Sequence, residues 1–172
     1  MNYLKDKKAY LSGPIQYDTS NINWRIDPMN VLRTKFDIDI FDPFSDPKQQ
    51  WVEVLKKARE QKDFETMAKI AKRFVRKDLA VVDRSDFVIA YLPDKVPTVG
   101  THHEVIKRNN LKKPTLLVTN MNDISYIPIW YFGFIPIEFM FPSWDSLYEY
   151  LNEINDGKYR ENDRWSYVFG DV

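Results

Sequence analysis

A continuous apolar run, Phe87-Val88-Ile89-Ala90-Tyr91-Leu92, stands near the middle of the chain. A run without polar alternation is typical of a strand that is buried on both faces, as in a parallel sheet with helices on each side. Strand patterns also occur at residues 9–12 and 38–41 before it and at residues 115–118 after it. Helix-forming segments separate these strands, which predicts an α/β fold with a central, mainly parallel sheet.

Helices are expected between and after these strands. They are predicted at residues 30–36, at 101–110 and at 143–154, with two more helices within residues 49–83. No internal repeat, low-complexity tract or flexible linker interrupts the alternation. At roughly 100–200 residues per domain, residues 1–172 are therefore expected to form a single domain.

The composition excludes several classes of function. The 25 Lys and Arg residues balance the 25 Asp and Glu residues, so neither nucleic acid nor an anionic membrane is an expected partner. The chain has no Cys, which excludes disulfides, thiol catalysis and Cys-based metal sites. The adjacent His102 and His103 point in different directions on a helix and lack further ligands at zinc-binding spacing. No metal or other cofactor is therefore expected.

The most apolar stretch is residues 126–141, which contain Pro128, Pro136 and Glu138. This stretch is shorter than the roughly 20 residues that cross a bilayer, so no membrane span is expected in it. We interpret it as part of the core or as a subunit interface. The charged start of the chain does not resemble a signal peptide. Together these features predict a cytoplasmic protein.

Ligands of such parallel sheets bind beyond the carboxyl ends of the strands, here residues 12–14, 42–43 and 93–100. The motif Thr101-His102-His103-Glu104 follows directly, and two interpretations of it remain open. Thr101 and Glu104 have the spacing of a capping box, in which the Glu side chain bonds the backbone of the cap. Alternatively, Glu104 is an ionised carboxylate beside a helix N-terminus that acts as a nucleophile at a sugar carbon.

Asp78 interrupts an apolar stripe of one expected helix. Residues at spacings of three and four form this stripe: Ala71, Phe74, Val75 and Val82. A carboxylate on an apolar face must find a partner or become protonated. Asp78 is therefore either a functional acid or a carboxylate at the edge of the stripe, where a base such as Arg73, Arg76 or Lys77 could pair with it.

The order of these motifs is similar to that of the nucleoside 2-deoxyribosyltransferase family. It comprises Tyr10-Leu11-Ser12-Gly13-Pro14, Asp78 eight residues before Asp86, the apolar run at 87–92, the motif at 100–104 and Lys113-Pro114. The likeness covers roughly residues 8–118. It implies a flavodoxin-like, Rossmann-like three-layer α/β sandwich that forms homodimers or higher homo-oligomers with shared active sites.

The resemblance also implies roles for individual residues. Glu104 matches the family's nucleophile, which attacks the anomeric carbon and forms a covalent deoxyribosyl-enzyme. Asp78 matches the acid that serves the departing base, and Tyr10 matches the tyrosine that positions the nucleophile. Gly13 and Gly100 are expected to bind substrate, since a glycine lets the ligand approach the backbone.

Thr98 marks a departure from the transferase pattern. Transferases of this family usually carry an Asp six residues before the nucleophile. A small hydroxyl residue there is similar to the branch that hydrolyses 2′-deoxynucleoside 5′-monophosphates, because a hydroxyl can donate to a phosphate that an Asp would repel. Ser12 and Thr98 are accordingly expected to contact the sugar or the phosphate.

The expected activity is cleavage of the N-glycosidic bond of a 2′-deoxyribonucleoside or its 5′-monophosphate. The sugar passes through a deoxyribosyl-glutamate to another base or to water, so the expected partner is a small-molecule nucleoside or nucleotide. A non-catalytic nucleotide-binding or sensing module on the same fold is the alternative.

Overall fold

The computed structural model describes residues 2–15, 22–43 and 51–170. The strands within these residues are β1 (Lys8–Ser12), β2 (Asp39–Phe41), β3 (Phe87–Tyr91), β4 (Thr115–Val118) and β5 (Met140–Phe141). The α-helices are α1 (Ile26–Phe36), α2 (Val52–Glu60), α3 (Phe64–Arg84), α4 (Val99–Asn110) and α5 (Trp144–Asn155). The predicted alternation of strands and helices is confirmed.

The strands form one sheet in the order β2-β1-β3-β4-β5, and every neighbouring pair is parallel. This order is that of flavodoxin-like, doubly wound sheets, in which the direction of winding reverses between β1 and β3. The crevice at this reversal, outside the carboxyl ends of the two strands, is where such sheets bind their ligands.

Helices cover both faces of the sheet. On one face, Phe36 of α1 packs against Tyr148 of α5 with ring centroids 6.4 Å apart. On the other face, Arg108 of α4 donates a hydrogen bond to the Val82 carbonyl of α3 at 3.2 Å. Right-handed crossovers from β1 to β2 and from β2 to β3 require this division, because the two connections run in opposite directions across the sheet. The expected three-layer α/β fold is confirmed.

The apolar run at residues 87–92 forms the centre of the core. β3 lies in the middle of the sheet, and all five of its residues are buried. Because helices lie on both faces, each side chain of the strand meets other protein atoms and polar alternation is absent.

Some boundaries differ from the prediction. α1 begins at Ile26 rather than at residue 30, since Pro28 is tolerated in a first helical turn, where backbone N–H groups have no partner within the helix. α4 begins at Val99, two residues before the predicted start. β5, a two-residue strand within the aromatic segment, was not predicted. Residues 49 and 50, the start of a predicted helix, lie outside the described residues.

No helix among the described residues is both long enough and apolar enough to cross a membrane.

Candidate active site

The centre of the site is a buried carboxylate. Tyr10 and Ser12 alternate with Leu11 along β1 and therefore lie on the same face of the sheet, the face that α4 covers. Tyr10 Oη donates to Glu104 Oε1 at 2.6 Å, and Ser12 Oγ donates to Glu104 Oε2. The exposed fraction of Glu104 is only 8%. Two strand residues thus hold both oxygens of one helix carboxylate in a fixed orientation.

The capping-box interpretation of the motif at 101–104 is wrong. Thr98 occupies the N-cap position of α4, so Thr101 already lies inside the helix. Glu104 falls in the second turn, beyond reach of the free N–H groups of the first turn. It lies on the helix face that turns towards the sheet. The buried residues of this face follow helical spacing: Thr101, Glu104, Val105 and Arg108.

Tyr10 is held in its neutral form. Burial raises the pKa of the Tyr10 phenol most strongly, and the negative charges of Glu104 and Asp78 raise it further. The phenol therefore keeps its proton and acts as a donor to Glu104. Both carboxylates that the sequence singled out thus act on the same tyrosine.

Asp78 lies on α3 and is half-buried. The prediction of a buried apolar stripe around Asp78 is only partly correct, because Val82 is buried while Ala71 and Val75 are exposed. Val82 and, in part, Val81 pack into the core near the C-terminal end of the long helix α3, so the buried face is narrower than the sequence suggests. Asp78 lies near enough to Tyr10 for its charge to act on the phenol, and both interpretations of this carboxylate stay open.

Thr98 lies beside a cavity of about 280 Å³ at the carboxyl ends of β3 and β4. The cavity is lined in part by Thr98, His102, Thr119 and Tyr126. His102 Nε2 is 3.5 Å from Thr98 Oγ1, and His102 Nδ1 contacts the hydroxyl of Tyr131. Burial lowers the pKa of His102, so its neutral form is favoured. His102 thus lines the cavity, whereas the neighbouring His103 is exposed.

The two glycines predicted to bind substrate differ in their surroundings. A methyl group added at Gly13 would lie 2.4 Å from Cζ2 of Trp24, so a side chain of this protein already fills the space. Gly100 is exposed in the first turn of α4, and an added methyl group would meet nothing within 4 Å. Packing of Trp24 is thus a sufficient reason for glycine at position 13.

The sequence analysis missed a buried ion pair near the carboxyl ends of β1 and β2. Arg25 Nε lies 3.0 Å from Oδ1 of Asp42, and both side chains are 2% exposed. Arg25 also donates to the carbonyl oxygens of Gly13 and Pro14, each at 3.0 Å. Asp42 belongs to a strand-end segment that the sequence singled out, but an isolated arginine before a helix carries no periodic or motif signal.

Among residues 2–15, 22–43 and 51–170, no cluster of three or more potential metal ligands is present.

Known proteins match the chain in structure rather than in sequence. No family model and no curated sequence matches it. The 2-deoxyribosyltransferase of the psychrotolerant bacterium Bacillus psychrosaccharolyticus is similar over 81% of this chain and 89% of its own, with a TM-score of 0.56 and 15% identity. The enzyme of the same name from Leishmania mexicana is similar over 86% of this chain and 97% of its own, with a TM-score of 0.53 and 18% identity. The resemblance seen in the sequence motifs is thereby confirmed in the fold: the chain has the fold of the 2-deoxyribosyltransferases.

Proposed function

We propose that this protein cleaves the N-glycosidic bond of a 2′-deoxyribonucleoside or its 5′-monophosphate, with Glu104 as the nucleophile. The observation that carries the proposal is the geometry of Glu104, whose two oxygens accept from Tyr10 and Ser12 at the crevice between β1 and β3. A carboxylate that is buried and oriented by donors needs no reorganisation to attack a sugar carbon. Its place at the reversal of the sheet is the usual ligand position of this fold.

In the first step, a carboxylate oxygen of Glu104 forms a bond to the anomeric carbon C1′. The bond from C1′ to the base nitrogen breaks, and its electron pair leaves with the base. Asp78, in its acid form, supplies the proton that the departing base takes up. The product is a deoxyribosyl ester of Glu104, and the transition state has the oxocarbenium character of glycoside cleavage.

In the second step, water or a second base attacks C1′ and releases Glu104 as a carboxylate. Asp78, now a carboxylate, accepts the proton of the attacking group. Tyr10 and Ser12 keep Glu104 in place through both steps. Hydrolysis and transfer differ only in which acceptor reaches the ester.

Replacement of Glu104 tests this assignment. Glu104→Gln keeps the volume of the side chain but removes the nucleophilic carboxylate, so release of free base should fall by about 10³-fold or more. Chromatography of products from the four deoxynucleosides and their 5′-monophosphates measures this, each with and without a second free base. Circular dichroism and the melting temperature establish that the variant is folded.

Each outcome of this assay has a distinct meaning. Base released without an acceptor would identify a hydrolase, and a new nucleoside or nucleotide formed only with a second base would identify a transferase. Turnover that survives in Glu104→Gln would overturn the role of Glu104. Binding of a deoxynucleotide by the unaltered protein without any release would support the alternative of a binding module.

Thr98 is proposed to favour a phosphorylated substrate. It is 7% exposed and lies at the start of α4, where a hydroxyl and the positive end of the helix both suit an anion. Thr98→Asp places a negative charge there, so kcat/KM for a 5′-monophosphate should fall about tenfold or more relative to the nucleoside. Thr98→Ser, which keeps the hydroxyl, is the matched control. An unchanged preference in Thr98→Asp would disprove this role.

A further inference from the structure

Arg25 is a buried cation that the proposed mechanism does not use. It lies immediately before α1 and is 1% exposed. Its guanidinium group bonds the carbonyl oxygens of Gly13 and Pro14, pairs with Asp42 at the end of β2, and lies 4.2 Å from the centre of the Trp24 ring. It therefore joins the segments that follow β1 and β2 at the edge of the sheet where Glu104 lies.

These contacts orient the turn after β1. Because trans peptide groups point their C=O and N–H in opposite directions, binding of the Pro14 carbonyl to Arg25 turns the next N–H, that of Ile15, away from Arg25. A lysine has no planar fork and could not hold two carbonyls and a carboxylate in the same way. One guanidinium group thus holds two successive carbonyls of the segment that follows Tyr10 and Ser12.

Arg25 also acts on the site through its charge. It bonds the carbonyl of Gly13, the residue that follows Ser12, and the Ser12 hydroxyl donates to Glu104. The positive charge therefore lies near the Glu104 carboxylate, and it opposes the rise in the pKa of Tyr10 that Glu104 and Asp78 cause. Within the described part of the chain, the charged groups that act on Tyr10 or Arg25 include Glu104 from α4, Asp78 from α3 and Asp42 after β2. These three groups are carboxylates, and Asp42 offsets part of the positive charge of Arg25.

We propose that Arg25 is a positioning residue of the site: it holds the Gly13–Pro14 turn and keeps a positive charge near Glu104, which favours the carboxylate form of that side chain. Its effect on catalysis rests on the proposed function. Its effect on the ionisation of Glu104 does not, so the two can be tested apart.

The test is the titration of Glu104 in the unaltered protein and in four variants: Arg25→Met, Arg25→Lys, Arg108→Met and Asp42→Asn. Protein labelled with 13C at the glutamate carboxyl carbons is titrated by NMR, and Glu104→Gln identifies the signal of Glu104. In Arg25→Met the midpoint should rise by on the order of 1 pH unit, because a nearby cation is lost. The pH midpoint of the acid limb in the profile of kcat/KM should shift upward by the same amount. Arg25→Lys, which keeps the charge, should retain the midpoint but lower kcat through the misplaced turn.

Arg108 provides the matched control. It is also 1% exposed and also bonds backbone carbonyls, those of Val82, Asp83 and Asp86. These carbonyls lie at the amino end of β3, opposite the site. Arg108→Met should therefore lower stability without moving the Glu104 midpoint. A Glu104 midpoint that is unchanged in Arg25→Met, or that moves equally in Arg108→Met, would overturn the inference.

If Arg25→Met fails to fold, Asp42→Asn tests whether the charge of Arg25 affects the ionisation of Glu104. It removes the negative charge that offsets Arg25, so the Glu104 midpoint should fall rather than rise. No change in this variant would contradict the inference. If the unaltered protein releases no base from any substrate, the proposed function fails, while the titration still decides the role of Arg25.

Discussion

Gly13 lies against the indole of Trp24, which in turn packs on Tyr91 with ring centroids 4.6 Å apart. In Gly13→Ala the added methyl group would lie 2.4 Å from Trp24 Cζ2, so the indole must move. We expect the free energy of unfolding to fall by about 1–3 kcal/mol, as for other overpacked sites. Urea denaturation measures the loss, and Trp fluorescence reports the displaced ring.

Gly100→Ala is the control for this residue-scale prediction. The added methyl group meets no atom within 4 Å, and alanine favours helix over glycine by up to about 1 kcal/mol. This variant should therefore be as stable as the parent or more stable. Equal losses of stability in both variants would mean that contact with Trp24 is not the cause.

Helix α4 carries the groups that link the site to the rest of the carboxyl edge. Its buried face presents Glu104 to β1, while its first turns place Thr98 and His102 at the cavity between β3 and β4. His102 contacts Tyr131, which lies in the 3-10 helix Ile129–Gly133. One helix therefore fixes the position of the proposed nucleophile and of the predicted phosphate contact, and it also contacts the aromatic segment.

The burial of the His102 side chain predicts that stability depends on pH. Burial lowers the pKa of His102 in the folded protein, so the unfolded chain binds a proton more readily. Stability should therefore decrease as the pH falls through about 6.5, the ordinary value for histidine. His102→Gln should reduce the loss of melting temperature between about pH 7.5 and pH 5.5. His103→Gln, a change at the exposed neighbour, should leave that loss unaltered, and equal effects of both changes would refute the assignment.

The whole molecule exposes apolar side chains at the edge that carries the site. Ile129 is 83% exposed, Trp130 is 79% exposed, and Val99 at the start of α4 is 78% exposed. The contact between His102 and Tyr131 holds these two segments near each other. Large exposed apolar side chains in one region are typical of an interaction surface. This arrangement supports the expectation of a homodimer or higher homo-oligomer, which stays a prediction.

Analytical ultracentrifugation tests this expectation. The protein should sediment with at least twice the mass of one 20.5 kDa chain, and Trp130→Ser should shift it towards the monomer. Leu111→Ser, at the exposed C-terminal end of α4, should leave the association unchanged. A monomer at micromolar concentration, or equal dissociation by both variants, would contradict the placement of the interface.

The sequence by itself determined the class of fold. The uninterrupted apolar run at 87–92 requires a strand covered on both faces, and alternation with helices then leads to a parallel sheet. It also directed attention to Ser12 and to the motif that contains Glu104, because strand-end and helix-start positions converge at one edge of such a sheet, while the resemblance to a known family added Tyr10. The fold could be predicted because it depends on periodicity and on residue order, which are local properties; the roles of the site residues stay predictions.

Only the tertiary structure decided what those residues do to one another. The motif at 101–104 fits a cap by local spacing, but the strand-to-helix turn places the helix start at Val99 and carries Glu104 towards β1. Tyr10 and Glu104 are 94 residues apart, and Arg25 and Asp42 pair across a helix. Hydrogen bonds and ion pairs across such separations form only when the sheet brings its strand ends together, and no periodic pattern records them.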